Sequence, residues 1–312
     1  MTELQHRSPM APGVRGLSAE WVTRIVRATL DEDLGGYPGR DVTSQATISP
    51  STQVTAHLMA RQDGVIAGLP VVPEALSQVA KRFGMSSEDG PVTHVSFDVS
   101  DGSRVCAGQR LAVLQAPVQA ILIAERTLLN LASRASGVAT ATRAFADVLE
   151  GSGAMVLDTR KTTPGLRELE KYAVRAGGGT NKRMGLYDVA MVKDNHIVAA
   201  GSVSAAISAV REAFPEVLIQ VEADTFDQAI EAVDAGARFL LLDNMTNDEM
   251  ARVVAQVRSR EAEIGAVELE ATGTVTLERA AGIAATGVDY MSVGALTHSA
   301  PILDLALDLI TR

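Results

Sequence analysis

After Gly151 the chain repeats one pattern: a short apolar run that stops at a polar or small residue. The runs are AMVLD to Asp158, VAMVK to Lys193, VLIQVE to Glu222, FLLLD to Asp243, AVELEATG around Glu270 and YMSVG to Gly294. Segments with helical periodicity lie between most of them, including PGLRELEKYAVRAGG, SVSAAISAVREAF, TFDQAIEAVDAGA and TLERAAGIAATGV. Buried strands alternating with helices imply parallel βαβ units, because a parallel neighbour is reached only through a crossover. A doubly wound sheet and a barrel both satisfy that rhythm. The polar residues favour the barrel, since they sit at the C-terminal end of strand after strand, where a (β/α) barrel gathers its chemistry. A nucleotide-binding doubly wound sheet would instead show a glycine fingerprint after its first strand, and Asp158-Thr159-Arg160-Lys161 is none. About six units are visible, fewer than a full barrel's eight. The expected fold class is therefore α/β, an incomplete (β/α) barrel preceded by an N-terminal α+β domain.

The first half reads differently. Ser18 is placed to cap an amphipathic helix that carries Trp21, Ile25, Val26 and Leu30 at helical spacing. A turn-rich loop, LGGYPGRDVTS, follows it. VTAHLMA, GVIAGLP, THVSFDV and RLAVLQA then read as short antiparallel strands. The segment around Cys106 is similar to a biotin or lipoyl carrier hairpin but has no lysine between Asp89 and Pro117, so a wall or lid is the preferred role. Residues Val118 to Leu149 read as helix, with a flexible joint expected near Ser136 and Gly137. The expected divisions are a flexible start at 1–16, an α+β domain with linking helix at 17–135, the barrel at 136–295, and a C-terminal helix at 296–312 packing back on the first domain.

Composition narrows the function classes. The 312 residues are 46% hydrophobic and 4% aromatic, so a large core must be built from aliphatic layers. A single cysteine excludes an intramolecular disulfide and fits a reducing, cytoplasmic compartment, with Cys106 expected to pack in a strand. The start has no secretory pattern and no apolar run reaches the ~18 residues of a membrane helix.

The net charge is −10, yet the window Asp158 to His196 holds eight Lys or Arg against five acids. One basic patch in an acidic protein fits a small anion better than nucleic acid, which calls for a basic face. Arg167, Lys171 and Arg175 alternate with Glu168 and Glu170 and are expected on a solvated face. If the strand ends converge, Arg160, Lys161, Lys182, Arg183 and Lys193 face Glu222 and Asp243. Guanidinium forks and ammonium groups then bind a multiply anionic substrate. Carboxylates in such a site would weaken ground-state binding, so they point to positive charge in the transition state, as in an oxocarbenium-like sugar. The small residues of ATGT and SVGA stand where barrel enzymes cradle a phosphate. His57, His94 and His6 are read as structural, His196 and His298 as able to serve the site, and no spacing calls for a structural zinc.

DTRKTTPGLR, EKYAVRAGGGTN, the KDNHI from Lys193 and YMSVGALTHS closely resemble the quinolinate phosphoribosyltransferases. DVTS, ERTLLN and the order of domains extend the resemblance over nearly the whole chain. It implies a reaction of quinolinate with phosphoribosyl pyrophosphate that gives nicotinate mononucleotide, carbon dioxide and pyrophosphate, a step of NAD biosynthesis. It also implies Mg²⁺, held through substrate near Glu222 and Asp243 and not by protein alone, and a homodimer or assembly of dimers in which Arg126 reaches a neighbour's site. By the same resemblance Arg160, Arg183 and Lys193 hold the two carboxylates of quinolinate, with Thr159, Lys182 and His196 beside them. Lys161 lies between substrate and phosphates and, with Glu222 and Asp243, is expected to be catalytic. Thr272-Gly273-Thr274 and Val293-Gly294-Ala295 match the 5′-phosphate cradle. Two positions depart from the family pattern: Lys182 stands where His is common, and Thr274 where a second glycine is usual. The first leaves open another pyridine dicarboxylate as substrate. The residues alone also allow a Schiff-base lyase that uses Lys193, or a non-catalytic pyridine carboxylate sensor.

Overall fold

A computed structural model describes residues 16–85 and 92–310. In chain order the elements are α1 (Ala19–Leu34), α2 (Ser44–Thr47), β1 (Gln53–Ala60), β2 (Gly64–Val65), α3 (Val71–Arg82), β3 (His94–Phe97), β4 (Arg104–Val105), β5 (Arg110–Pro117) and α4 (Val118–Leu149). There follow β6 (Met155–Leu157), α5 (Arg167–Ala176), β7 (Val189–Val192), α6 (Asp194–Ala200), α7 (Val203–Ala213), β8 (Leu218–Ala223), α8 (Phe226–Asp234) and β9 (Phe239–Asp243). The last are α9 (Asn247–Ile264), β10 (Glu268–Thr272), α10 (Leu277–Ala284), β11 (Tyr290–Ser292), α11 (Ala295–His298) and β12 (Leu305–Ile310). Two compact units form: residues 16–143 with Pro164–Gly178 and 300–310, and Ala144–Thr163 with Gly179–Ser299. The loose start expected at 1–16, with His6 in it, lies outside the described residues except for Gly16.

In the first unit Ser18 caps α1 as its position suggests, accepting from the Trp21 N–H at 3.2 Å. An antiparallel sheet runs in the order β12-β1-β5-β3. The C-terminal helix expected at 296–312 is thus corrected: only the four-residue α11 is helical, and β12 pairs with β1 from Thr55↔Ile310 to Ala60↔Leu305. The flexible joint is corrected too. α4 is one helix of 32 residues, and a Cβ on Gly137 would lie 2.0 Å from the Pro301 carbonyl oxygen, so glycine serves close packing there. The division between compact units falls after Arg143, inside α4, and α5 joins the first unit.

α5 corrects a third expectation. Lys171 is 1% exposed and Glu170 is fully buried, so this stretch is no solvated face. Glu170 receives Arg134 through Nε at 2.9 Å and Nη2 at 2.8 Å, and Arg134 Nη1 also donates to the Ala300 carbonyl. Cys106 is exposed rather than packed in a strand.

The second unit holds six parallel strands in the order β6-β11-β10-β9-β8-β7. Among the described residues β6 and β7 remain edges, so the sheet is an arc not closed into a barrel, as the count of units suggests. In parallel pairing the partnered residues share a face, and side chains repeat with period 2. The register Leu241↔Glu270↔Tyr290, with Glu222↔Leu241 and Asp243↔Thr272, therefore puts these side chains on one face with Ser292 and Leu157. Leu157, Phe239, Leu241 and Tyr290 form the apolar part, with Met191 packed against them and the Phe239 and Tyr290 rings stacked at 5.8 Å. Each fully buried leucine contributes roughly 1.5–3 kcal/mol. Among the described residues no helix is long and apolar enough to cross a membrane.

Candidate active site

The C-terminal strand ends of the second unit surround a cavity of about 540 Å³. Thr159, Arg160, Lys161, Lys182, Arg183, Lys193, Glu222, Asp243, Thr272, Gly273 and Thr274 all line it, as do Met191, Leu241, Asn244 and Ser292. Of the residues singled out in the sequence, His196, Val293, Gly294 and Ala295 stand outside that lining, and Arg126 belongs to the other unit.

The basic wall is built on one buried carboxylate. Asp158, fully buried at the end of β6, accepts from Asn181 Nδ2 at 2.6 Å and from the Lys182 backbone N–H at 2.8 Å. Thr180 bridges alongside Leu157 in parallel, so the Gly-rich segment lies against the strand and delivers Lys182 and Arg183 inward. Arg183 is buried, donates to the Val189 carbonyl at 3.0 Å and leads into a loop whose N–H groups at Met184 and Gly185 are held by Asp188. Burial, then the charge of Arg160, disfavours its protonated form relative to a free guanidinium, while Asp188 favours it. Two guanidinium groups that repel one another in a half-dry wall form a strong site for an anion.

Lys193 follows β7 and pairs with Glu222 at the end of β8. Its backbone N–H donates to His196 Nδ1 at 3.1 Å, so His196 is the capping partner of α6 and serves the site by fixing the Lys193 backbone. Glu222 belongs to an acidic group: Glu222, Asp224 and Asp243 each bring an oxygen within 4.8 Å of the others. Asp243 is raised from the ordinary carboxylate range by burial, then by Glu222 and Asp224, with Lys193 and Lys161 opposing. Asp224 is raised by burial, then by Glu222. Three hard oxygen donors at one spot fit Mg²⁺. Asp224 is not among the residues expected from sequence, where it reads as an ordinary helix-leading acid.

The third wall has unusual backbone. Asn244 at φ 56° and Thr274 at φ 41° are the non-glycine residues in the left-handed region among the described residues, with Gly273 at φ 81° between the two strand ends. Thr274, the β-branched departure, thus holds a conformation that costs such a residue energy. Asn244 donates backbone N–H to the Thr272 carbonyl at 3.0 Å and Nδ2 to Asp243 at 3.0 Å. Asn244 was legible only as the residue after FLLLD. Val293 spends its N–H on the Leu157 carbonyl. A Cβ on Gly294 would meet Lys161 Cδ at 3.2 Å and His298 at 3.3 Å, so this glycine makes room for the Lys161 stem. Thr297 Oγ1 donates to the Lys161 carbonyl at 2.9 Å.

Comparison with known proteins places this geometry among described enzymes. The domain described as "Quinolinate phosphoribosyl transferase, C-terminal domain" matches residues 138–308, and its N-terminal counterpart matches 41–136. The chain is 46% identical over 284 residues to the carboxylating nicotinate-nucleotide pyrophosphorylase of Mycobacterium leprae, covering 91% of this chain and 95% of that protein. It is 39% identical to a probable enzyme of the same name from Bacillus subtilis, covering 89% and 90%. The solved nicotinate-nucleotide pyrophosphorylase from Francisella tularensis superposes with a TM-score of 0.84 at 32% identity, covering 95% of this chain and 99% of that one.

Proposed function

The chain belongs to the quinolinate phosphoribosyltransferase family, and we propose that it joins quinolinate to the ribose of phosphoribosyl pyrophosphate, releasing pyrophosphate and carbon dioxide and leaving nicotinate mononucleotide for NAD synthesis. The observation that carries this reading is one cavity lined both by Arg160, Lys161, Lys182 and Arg183 and by Glu222 and Asp243, with Asp224 beside those two acids. A dianionic ring acid and a sugar that becomes cationic need groups of both signs in one site.

The pyridine nitrogen attacks the anomeric carbon as pyrophosphate leaves with the bonding electrons. Positive charge on the sugar peaks near Glu222 and Asp243, which stabilise it electrostatically. The ring nitrogen, now cationic, stabilises the electron pair left on the ring carbon when the adjacent carboxylate departs as carbon dioxide, and that carbon then takes a proton. Arg160 and Arg183 hold the ring acid in line, Lys161 spans toward the phosphates, and the protein's part is mainly positioning. The loop of Thr272, Gly273 and Thr274 takes the 5′-phosphate. Glu222, Asp224 and Asp243 would hold Mg²⁺ together with substrate, and the ion would supply charge neutralisation of the pyrophosphate.

Arg126, 70% exposed on α4, supports the assignment of a homodimer in which it enters a second copy's site. An Arg126→Ala chain mixed with an Arg160→Ala chain regains activity if sites are shared, and a mixture shown to contain heterodimers yet inactive refutes it. The exposed, lone Cys106 suits a reducing compartment, in keeping with work in the cytoplasm. Product analysis tests the main reading: phosphoribosyl pyrophosphate is incubated with quinolinate, nicotinate or other pyridine dicarboxylates. Nicotinate mononucleotide from quinolinate is the expected result, and pyrophosphate release only with a different dicarboxylate overturns it in favour of a substrate shifted by Lys182. A borohydride-trapped adduct on Lys193 overturns the reaction class itself.

A further inference from the structure

A carboxylate stands behind one of the cationic residues of the cavity. Glu270, on the inward face of β10, is fully buried and lies outside the cavity lining. Its Oε1 receives Lys182 Nζ at 2.6 Å and also the Ser292 hydroxyl, and Lys182 Nζ reaches Ser292 Oγ at 3.4 Å. Its Oε2 is buried and has no hydrogen-bond partner among the described residues. Lys182 and Ser292 line the cavity, and the Lys182 side chain is 8% exposed. Glu270 is thus joined to the substrate space through those two residues. Its charge is felt on its other side by Tyr290, whose ionisation is pushed up by burial, then by Glu268, with Asp289 and Glu270 adding.

A buried carboxylate with one oxygen unsatisfied is costly, and an apolar pair of similar volume commonly replaces such an ion pair without loss of stability. Structure alone therefore gives little reason for it. The reaction gives one. Of two carboxylates that enter as anions, one leaves as neutral carbon dioxide, so a cation gripping the departing carboxylate is worth less in the transition state than in the ground state. We propose that Glu270 is a specificity-determining residue that acts through Lys182, offsetting that ammonium's charge so that the cavity holds the dianionic ring acid without over-binding it. This rests on the functional reading above. Arg160, Lys161, Arg183 and Lys193 share the cavity with Lys182, Glu222 and Asp243 complete its charged lining, and Asp158 holds the Lys182 backbone.

Calorimetric titration with pyridine-2,3-dicarboxylate and with the monoanion pyridine-3-carboxylate tests it on the wild type, Glu270→Gln, Lys182→Met and the double variant. Glu270→Gln keeps an acceptor for Lys182 but removes the negative charge. It is expected to bind the dianion at least about fivefold tighter, with a smaller gain for the monoanion. Its kcat falls along with its KM for the dicarboxylate, while KM for phosphoribosyl pyrophosphate stays put. Lys182→Met leaves the Glu270 charge beside the cavity and weakens the dianion at least about tenfold; adding Glu270→Gln restores most of that loss. A residue that merely braces Lys182 gives the opposite sign. The proposal is overturned if Glu270→Gln binds the dianion no tighter than wild type, or, should that variant not fold, if the double variant binds no tighter than Lys182→Met. Failure of the wild type to form any nicotinate mononucleotide would instead count against the functional reading, while the binding comparison still stands.

Discussion

Gly273 and Asn244 contend for one space: a Cβ on Gly273 would lie 2.2 Å from Asn244 Oδ1. With φ at 81°, Gly273 also has a backbone that an L side chain rarely adopts. Gly273→Ala therefore moves Asn244 and, through its amide, the Asp243 carboxylate. KM for phosphoribosyl pyrophosphate is expected to rise about tenfold or more, since small misplacements at a site cost that much. Steady-state kinetics beside a melting curve checks this, and an unchanged KM in a folded variant would separate the loop from phosphate binding.

Glu222→Ala and Asp243→Ala are each expected to lower turnover by roughly 10²-fold, the size seen for loss of one preorganised electrostatic group. Glu222→Ala also leaves Lys193 without its ion-pair partner, so its KM for the ring acid should change more than that of Asp243→Ala. Full turnover in either variant would take that acid out of the mechanism.

Asp243 takes up its proton at higher pH than an ordinary carboxylate because burial, Glu222 and Asp224 disfavour its charge. The charged form is the one that stabilises the sugar cation, so activity on the acid side should fall at a pH above the usual carboxylate range. Asp224→Asn removes one repelling charge and should move that limb to lower pH. A pH profile of kcat/KM whose acid limb does not move would uncouple the two acids.

Glu268, near the start of β10, is pushed up to about 7 by burial, from an ordinary 4.5. Between those values the folded protein binds more protons than the unfolded chain, so this group's contribution to stability is present below pH 4.5 and lost as pH rises through 7. Glu268→Gln removes that dependence. Its melting temperature relative to wild type should therefore be a few degrees higher at about pH 8 than at about pH 5. Equal differences at both pH values would mean that the carboxylate titrates normally.

Gly137→Ala places a methyl group within 2.0 Å of a backbone oxygen that cannot rotate away. A loss of about 3 kcal/mol or failure to fold is expected, read from chemical denaturation. Near-normal stability would show that the 300–303 segment yields easily.

The parallel strands were legible because several buried runs are apolar until they end in a residue that lines the cavity, as in FLLLD ending at Asp243. α3 was not, because Pro73 interrupts the apolar start of Val71-Val72, although proline is tolerated in a first helical turn. In β12 the leucines at 305, 307 and 309 carry the period of a strand, but its partner β1 lies far away in sequence and leaves no local mark. Lys171 looked solvated because burial of a charged side chain depends on tertiary partners that spacing does not reveal. Among the site residues, the long basic motif made the anion-binding wall visible. Asn244 and Ser292 stayed hidden beside residues of clearer chemistry, and Glu270 was seen only as part of a strand, its link to Lys182 created by a contact across 88 residues.

The pairing of β12 with β1 sets an order of assembly. Ribosomes release the chain from its amino end, so β1 emerges with β5 and β3 while the strand that covers its other edge is still unmade. All six parallel strands are translated in the interval. The sheet nearest the amino terminus is thus the last to be completed, and until then one side of β1 presents open backbone N–H and C=O groups to any other extended segment. Truncation just before Leu305 would make that transient exposure permanent, and self-association through β1 is its natural consequence.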